Sequence, residues 1–72
     1  IGENAFWKCA NLESITIGKN VTEIERYAFA ECYALKEIIF EGTRAEWNAV
    51  VKETEWDYRA GNYTVKCSDG TI

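Results

Sequence analysis

Apolar residues recur with a period of 23 between residues 1 and 40 of the chain. When Ile1 is aligned with Ile24, most of the identical positions that result are apolar, while polar positions differ between the two copies. This pattern is typical of a repeat in which only the core-forming positions are fixed. The matched pairs are Ile1/Ile24, Ala5/Ala28, Phe6/Phe29, Cys9/Cys32, Leu12/Leu35 and Ile15/Ile38, followed by Ile17/Phe40.

Each copy of the repeat contains the local spacing of a helical turn and of a strand. Ala5, Phe6 and Cys9 are spaced as on one face of a short helix. Ile15 and Ile17 alternate with polar neighbours, as in a half-buried strand. We therefore predict that every repeat consists of a strand, a turn, an extended piece and a one-turn helix. Strands of successive repeats then stack in parallel, which gives a short α/β solenoid with a small parallel sheet.

The chain after the second repeat predicts a longer helix. Thr43 and Glu46 have the spacing of a capping box, in which the two residues bond to each other's backbone at a helix N-terminus. We expect this helix to run to about Glu53 and to cover the exposed end of the core, as capping elements of solenoids do. Its apolar face is formed by Trp47, Val50 and Val51.

A third strand is predicted near the C-terminal end of the sequence. Val65 lies 27 residues after Ile38 and sits in an alternating stretch, so the third repeat carries a small insertion. Asp69-Gly70 is a strong turn dipeptide, after which Thr71-Ile72 can fold back and protect the edge of this closing strand. The prediction is one domain, residues 1–72, with two repeats over 1–40 and a C-terminal cap over 41–72.

These features resemble a known repeat family. The pattern Ile-Gly-x-x-Ala-Phe-x-x-Cys-x-x-Leu-x-x-Ile-x-Ile of residues 1–17 is similar to the BspA-like leucine-rich repeat, and residues 41–72 resemble that family's C-terminal closure. Glu25 and Gly18 depart from the pattern at turns. The resemblance implies an α/β leucine-rich-repeat solenoid from a bacterial cell-surface or secreted protein. It also implies an extracellular or cell-surface location and a non-catalytic adhesion role, with a host matrix protein or another cell-surface protein as ligand.

Composition narrows the classes of function. The chain has 72 residues, a net charge of −4 and no His. The lack of His removes most zinc sites and every His-based catalytic mechanism, and an acidic chain lacks the basic footprint that nucleic acids require. No apolar run approaches the roughly 20 residues that span a bilayer. We predict no catalytic residue, no cofactor, no metal ligand, no nucleic-acid partner and no membrane insertion in this segment.

The three cysteines are most simply interpreted as buried free thiols that pack as small hydrophobic residues. Cys9 and Cys32 share one repeat position, and Cys67 lies beyond the capping helix. Their spacing lacks the CxxC pairs of zinc sites. A Cys9–Cys32 disulfide is the alternative, because neighbouring strands lie about 4.8 Å apart.

The outward positions of the stacked strands form the candidate binding face, since solenoids bind ligands along such extended surfaces. Ile39 is apolar where its repeat partner Thr16 is polar, which makes it a candidate interface anchor. Trp7, Tyr27 and Tyr33 occupy positions that the repeat does not fix, and are interpreted as a partly buried rim or as an adhesive surface. The predicted binding face comprises Ser14, Thr16, Glu37, Ile39, Thr64 and Lys66.

Two functions from different classes remain open on the sequence. The first is a protein-binding module that uses this face. The second is a purely structural role, as the C-terminal cap or a spacer of a longer solenoid. The absence of an initiator Met and of a cap before Ile1 also predicts an open N-terminal coil. We expect its apolar residues Ile1, Phe6 and Ile15 to be covered by upstream sequence or by self-association with a second copy.

Overall fold

A computed structural model describes residues 1–72 as two small sheets and one short helix. One sheet has four strands in the order β1-β3-β5-β6, and the other pairs β2 with β4. The elements are β1 (Ser14–Ile17), β2 (Glu23–Ile24), β3 (Glu37–Phe40), α1 (Arg44–Ala49), β4 (Val51–Lys52), β5 (Thr64–Cys67) and β6 (Gly70–Thr71). Helix α1 is too short and too polar to cross a membrane.

The register of the larger sheet follows the apolar spacing of the sequence. Ile15 of β1 lies opposite Ile38 of β3, an offset of 23 residues, and Ile38 lies opposite Val65 of β5, an offset of 27. Both pairs of strands are parallel, as predicted. The connection from β3 to β5 is longer than the connection from β1 to β3. It contains helix α1, which lies between β3 and β4. A helix therefore occupies the place where the first connection makes only a turn at residues 19–20.

The prediction of one-turn helices is wrong. Residues 3–8, 26–31 and 54–59 are successive turns, here called the turn segments. Each segment has two non-glycine residues in the left-handed region with φ near 60°, and these interrupt helical hydrogen bonding. The freed backbone groups bond across segments instead. The left-handed residues are Asn4, Lys8, Tyr27, Glu31, Glu55 and Arg59.

Backbone hydrogen bonds join neighbouring turn segments. The N–H of Phe6 donates to the carbonyl of Ala28 at 2.7 Å, and the N–H of Phe29 donates to the carbonyl of Trp56 at 2.8 Å. These bonds satisfy buried polar groups that a one-turn helix would leave unpaired at its ends. Trp56 thus occupies the position in the third segment that Ala5 and Ala28 occupy in the first two.

The N-terminus of α1 has the predicted capping box. The N–H of Glu46 donates to Thr43 Oγ1 at 3.1 Å, and the N–H of Thr43 donates to Glu46 Oε1 at 2.8 Å. The bond from the Thr43 N–H, followed by the interaction with the Thr43 side chain, holds the pKa of the Glu46 carboxyl below its usual value. The carboxylate also lies in the first turn, where the helix dipole favours negative charge.

The predicted extent of this helix is wrong, because α1 ends at Ala49 and does not reach Glu53. Val51 begins β4, where its N–H donates to the carbonyl of Thr22 at 2.9 Å. Its side chain is 59% exposed, so it does not belong to the apolar face that covers the core. Pairing with β2 gives the backbone N–H groups of Val51 and Glu53 hydrogen-bond partners outside the helix. This tertiary contact ends the helix although the apolar spacing of the sequence would allow it to continue.

The C-terminal end of α1 is completed by a lysine. Lys52 Nζ donates to the carbonyls of Trp47 at 2.7 Å and Val50 at 3.1 Å. The ammonium also lies 4.4 Å from the centre of the Trp47 ring, within cation–π range. Partial burial lowers the pKa of Lys52. The side chain therefore compensates the carbonyl groups that a helix leaves without partners at its end.

The core lies between the two sheets and the turn segments, and the second repeat is its centre. Phe29 is fully buried and stacks on Phe6, with ring centroids 5.2 Å apart. On its other side Trp56 packs edge-on, at 6.1 Å. The buried cluster consists of Ile17, Ile24, Ala28, Phe29, Cys32, Leu35, Ile38, Phe40, Trp47, Val50 and Val65.

All three cysteines are free thiols, as favoured from the sequence. Cys32 is buried, and its Sγ lies 3.0 Å from the carbonyl oxygen of Phe6. Burial raises the pKa of this thiol. Cys9 and Cys67 are half-buried and pack against the same core.

The C-terminal residues fold back on β5 as predicted. Strand β6 pairs antiparallel with β5, with Thr71 opposite Lys66. The turn itself consists of Ser68 and Asp69, and Gly70 begins β6 with a φ of 139°, a conformation that residues with a side chain rarely adopt. Asp69 Oδ1 accepts a hydrogen bond from the N–H of Arg44 at 2.8 Å, which joins this hairpin to the start of α1.

Candidate functional site

The six predicted binding residues lie together on one face of the larger sheet, hereafter the sheet face. Side chains two apart on a strand share a face, and parallel pairing places equivalent positions side by side. The intervening residues Ile38 and Val65 point into the core and are buried. One row is Ser14, Glu37 and Thr64, and the second row is Thr16, Ile39 and Lys66.

One ion pair crosses the sheet face. Lys66 Nζ lies 2.6 Å from Glu37 Oε2, on neighbouring strands and in different rows. The lysine side chain is more than half exposed, so this pair contributes little to stability. It does fix the orientation of both side chains on a surface that otherwise carries three kinds of uncharged side chain, those of serine, threonine and Ile39.

Ile39 lies in the middle of its row, between Thr16 and Lys66. Ile39 is half-buried, whereas both neighbours are exposed. It therefore forms a small apolar patch that does not protrude from the surface. The surrounding polar side chains leave the top of the isoleucine accessible to a flat partner surface. Interfaces commonly place such an apolar centre inside a polar rim.

The turn segments carry a second surface, built around exposed aromatic residues. Trp7 and Tyr27 flank a shallow depression of about 410 Å³, and Tyr58 from the third segment completes it. The sequence-based set of Trp7, Tyr27 and Tyr33 missed Tyr58. The spacing of the turn segments gives the signal, because segments 26–31 and 54–59 lie 28 residues apart. This spacing relates Ala30, the repeat partner of Trp7, to Tyr58. The depression is lined by Glu3, Asn4, Trp7, Tyr27, Ala30, Glu31 and Tyr58.

Glu31 holds two of the exposed aromatic side chains in place. Its Oε2 accepts a hydrogen bond from Trp7 Nε1 at 3.2 Å, and its Oε1 accepts one from the Tyr33 hydroxyl at 2.6 Å. The bond from Tyr33 is the main reason that the pKa of Glu31 lies below its usual value. The same bond raises the pKa of Tyr33. Glu31 is therefore a charged acceptor that orients the aromatic rings beside it.

Glu25, where the sequence departs from the repeat pattern, has a structural role. Its Oε1 accepts a hydrogen bond from the N–H of Glu3 in the preceding turn segment, at 3.1 Å. Glu53 makes the equivalent contact one unit later, because its Oε1 accepts from the N–H of Arg26 at 2.9 Å. Two carboxylates thus cap the starts of successive turn segments, which explains why a glutamate is favourable at this turn.

The N-terminal edge of the core is the least covered apolar region. Strand β1 pairs only with β3, so its outer edge has no neighbouring strand. Phe6 and Ile15 are half-buried there, whereas their repeat partners Phe29 and Ile38 are fully buried. The apolar residues at this edge are Ile1, Phe6, Cys9, Leu12 and Ile15.

Comparison with known families identifies this arrangement of repeats. A family model described as "BspA type Leucine rich repeat region (6 copies)" matches residues 1–49. The chain belongs to this family. Membership confirms the resemblance of residues 1–17 to this family. Leucine-rich repeats of this family are generally non-catalytic, and the family suggests a protein at the cell surface. Searches of curated proteins and of solved structures returned no match.

Proposed function

We propose that this BspA-type repeat region is a protein-binding and adhesion module of a bacterial cell-surface or secreted protein. The observation that supports this function best is the sheet face, a regular array of outward side chains on three parallel strands. Such a rigid, nearly flat surface suits another protein better than a small molecule, which prefers a concave pocket. The ligand class that we propose is a host matrix protein or another cell-surface protein, outside the cell.

Ile39 is the proposed centre of the ligand contact, and its replacement tests the function. Ile39→Thr introduces the residue of its neighbour Thr16 and keeps a β-branched side chain that suits a strand. We expect affinity for the bound matrix protein to fall about tenfold, because a central apolar contact is lost, while the melting temperature changes little. The measurement is a binding screen against immobilised collagen, laminin and other purified matrix proteins, followed by titration of any binder.

Val51→Thr is the matched control for this test. Val51 is exposed and β-branched, but it lies in β4 of the smaller sheet. It should leave affinity unchanged. Equal losses in the two variants would contradict a role for the sheet face. Absence of binding by the unaltered chain to every matrix protein would contradict the proposed ligand class.

A purely structural role is the second candidate, in which residues 41–72 close a longer solenoid or serve as a spacer. The observation that favours it is the C-terminal hairpin, because β6 covers the outer edge of β5 and Asp69 joins it to α1. A capping element should matter for stability and not for affinity. Under this alternative the unaltered chain binds no ligand at the sheet face, so Ile39→Thr causes no loss of affinity.

The uncovered N-terminal edge supports the proposed self-association. Ile1, Phe6 and Ile15 are half-buried there, and the edge strand β1 has backbone groups free to pair. We propose that a second copy covers this edge when no other part of a longer chain does so. Light scattering over a concentration series should then show a dimer that dissociates on dilution. A monomer at every concentration would contradict self-association.

A further inference from the structure

The aromatic depression on the turn segments has the form of a small-molecule site and shares no residue with the sheet face. Its volume of about 410 Å³ falls within the range of about 300–1,000 Å³ that is common for ligand pockets. Trp7 is 47% and Tyr58 41% exposed, so both rings present accessible surface. A ligand can therefore reach aromatic faces without any rearrangement of the core.

The depression is held rigid by contacts within the chain. Trp7 Nε1 is bonded to Glu31, and the Trp7 N–H donates to the carbonyl of Asn4 at 3.1 Å. The Tyr27 and Tyr58 rings pack edge-to-face, with centroids 6.4 Å apart. Groups that are already ordered lose little conformational entropy on binding, which favours affinity.

Polar groups surround the aromatic floor in a mixed arrangement. The carboxylate of Glu3 and the amide of Asn4 are exposed at the depression. Glu31 accepts one hydrogen bond on each oxygen, and a carboxylate has about four acceptor sites, so capacity remains for ligand hydroxyl groups. Together these residues offer several acceptors and an amide donor around an apolar surface.

The charges around the depression are largely balanced by neighbours. Lys8 Nζ lies 4.6 Å from the Trp7 ring centre, and its positive charge helps to lower the pKa of Glu31. The guanidinium carbon of Arg59 lies 5.2 Å from the Tyr58 ring centre. Arg26 pairs with Glu55 at 3.1 Å beside Tyr27. A strongly cationic ligand would meet these basic side chains, and a strongly anionic ligand would meet Glu3 and Glu31. The arrangement thus favours a neutral ligand.

From this geometry we propose that the depression binds a neutral pyranose ring of a glycan. The apolar C–H face of the sugar stacks on Trp7 and Tyr58, while its hydroxyl groups bond to Glu3, Asn4 and Glu31. A pyranose combines an apolar face with a hydroxylated rim, which matches an aromatic floor bordered by acceptors. The site is shallow, so single-ring affinity is weak, on the order of millimolar. Adhesion would gain strength through many copies of the sugar.

The test is a titration of the isotopically labelled chain, followed by amide and indole NMR signals. The probes are cellobiose, maltose, lactose and diacetylchitobiose, each raised to tens of millimolar. At least one should shift the Trp7 indole signal in a saturable way. Tyr58→Ala should weaken that disaccharide about tenfold, whereas Tyr58→Phe keeps the stacking face and should retain most of the affinity.

Controls separate binding from folding and from other ligands. Val51→Ala, which is exposed but distant in the smaller sheet, should bind as the unaltered chain does. Melting curves show whether Tyr58→Ala is folded. If it is not, Glu3→Ala at an exposed position removes a proposed acceptor for the sugar hydroxyl groups and should weaken the same disaccharide. Three results would overturn the proposal: no response to any of the four disaccharides, a response unchanged in folded Tyr58→Ala, or a response at these residues to an oligo-arginine peptide alone. None of these results bears on matrix-protein binding at the sheet face.

Discussion

Phe29→Ala is expected to remove a large part of the stability of the chain. The side chain is fully buried and lies between the rings of Phe6 and Trp56. Truncation of a buried phenylalanine costs about 3–5 kcal/mol, because it forfeits apolar burial and leaves a cavity. The whole chain has about 4–11 kcal/mol available at roughly 0.05–0.15 kcal/mol per residue. Urea denaturation followed by circular dichroism measures this loss.

Phe6→Ala is the matched control, because Phe6 has the same repeat position in the first turn segment. It is half-buried, so its truncation removes less apolar contact and leaves a cavity open to water. We expect a loss of about 1–2 kcal/mol. Equal losses at the two positions would show that the second repeat is not the centre of the core.

Gly61→Ala has the second largest expected effect. A Cβ at Gly61 would lie 2.5 Å from the carbonyl oxygen of Leu35 and 2.7 Å from that of Tyr33. Both obstacles are backbone atoms, so no side-chain rotation can relieve them. The N–H of Gly61 also donates to the carbonyl of Cys32 at 3.0 Å, and this bond joins the two loop segments that contain these residues. We expect a loss of about 2–3 kcal/mol from overpacking, measured by thermal and urea melting.

Gly18→Ala provides the comparison for this glycine. Its nearest obstacle would be a carboxylate oxygen of Glu41 at 3.7 Å, an ordinary contact with a flexible side chain. The free energy of unfolding should therefore change by no more than about 0.5 kcal/mol. A Gly61→Ala variant as stable as Gly18→Ala would contradict the close packing of residues 33–35 against residue 61.

The strand register was predictable from the sequence because it depends on few physical choices. A strand with one buried face exposes or buries a whole set of side chains when it slips by one residue. A slip by one residue would move Ile15, Ile38 or Val65 away from the core, whereas the observed register keeps all three on it. The capping box at Thr43 was predictable for a similar reason, since both of its bonds are local.

The turn segments were not predictable from apolar spacing alone. A spacing of i, i+1 and i+4 fits a helical turn and also fits these turns, in which Phe29 and Cys32 point inward as well. The choice depends on hydrogen bonds to a neighbouring segment, such as that from Phe29 to Trp56, which only the assembled fold provides. Helix α1 ends early for the same reason, because Val51 finds its partner in β2.

The candidate surfaces differ in how far the sequence determines them. The sheet face follows directly from strand alternation, and the strand register puts all six of its residues on one surface. Their role in binding stays a prediction. The partial burial of Ile39 between Thr16 and Lys66 could not be predicted, because it depends on side chains of two other strands. Tyr58 was missed because the third turn segment begins after an inserted helix, which obscures the repeat.

We expect the sheet face to contact the protein ligand, while the opposite face of the same sheet supports the core. Chemical-shift mapping of the labelled chain, with the matrix protein that binds it in the screen, tests this most directly. We expect the largest changes at residues 14, 16, 37, 39, 64 and 66, with little change in the turn segments. Changes confined to the turn segments, or to the outer edge of β1, would contradict the claim.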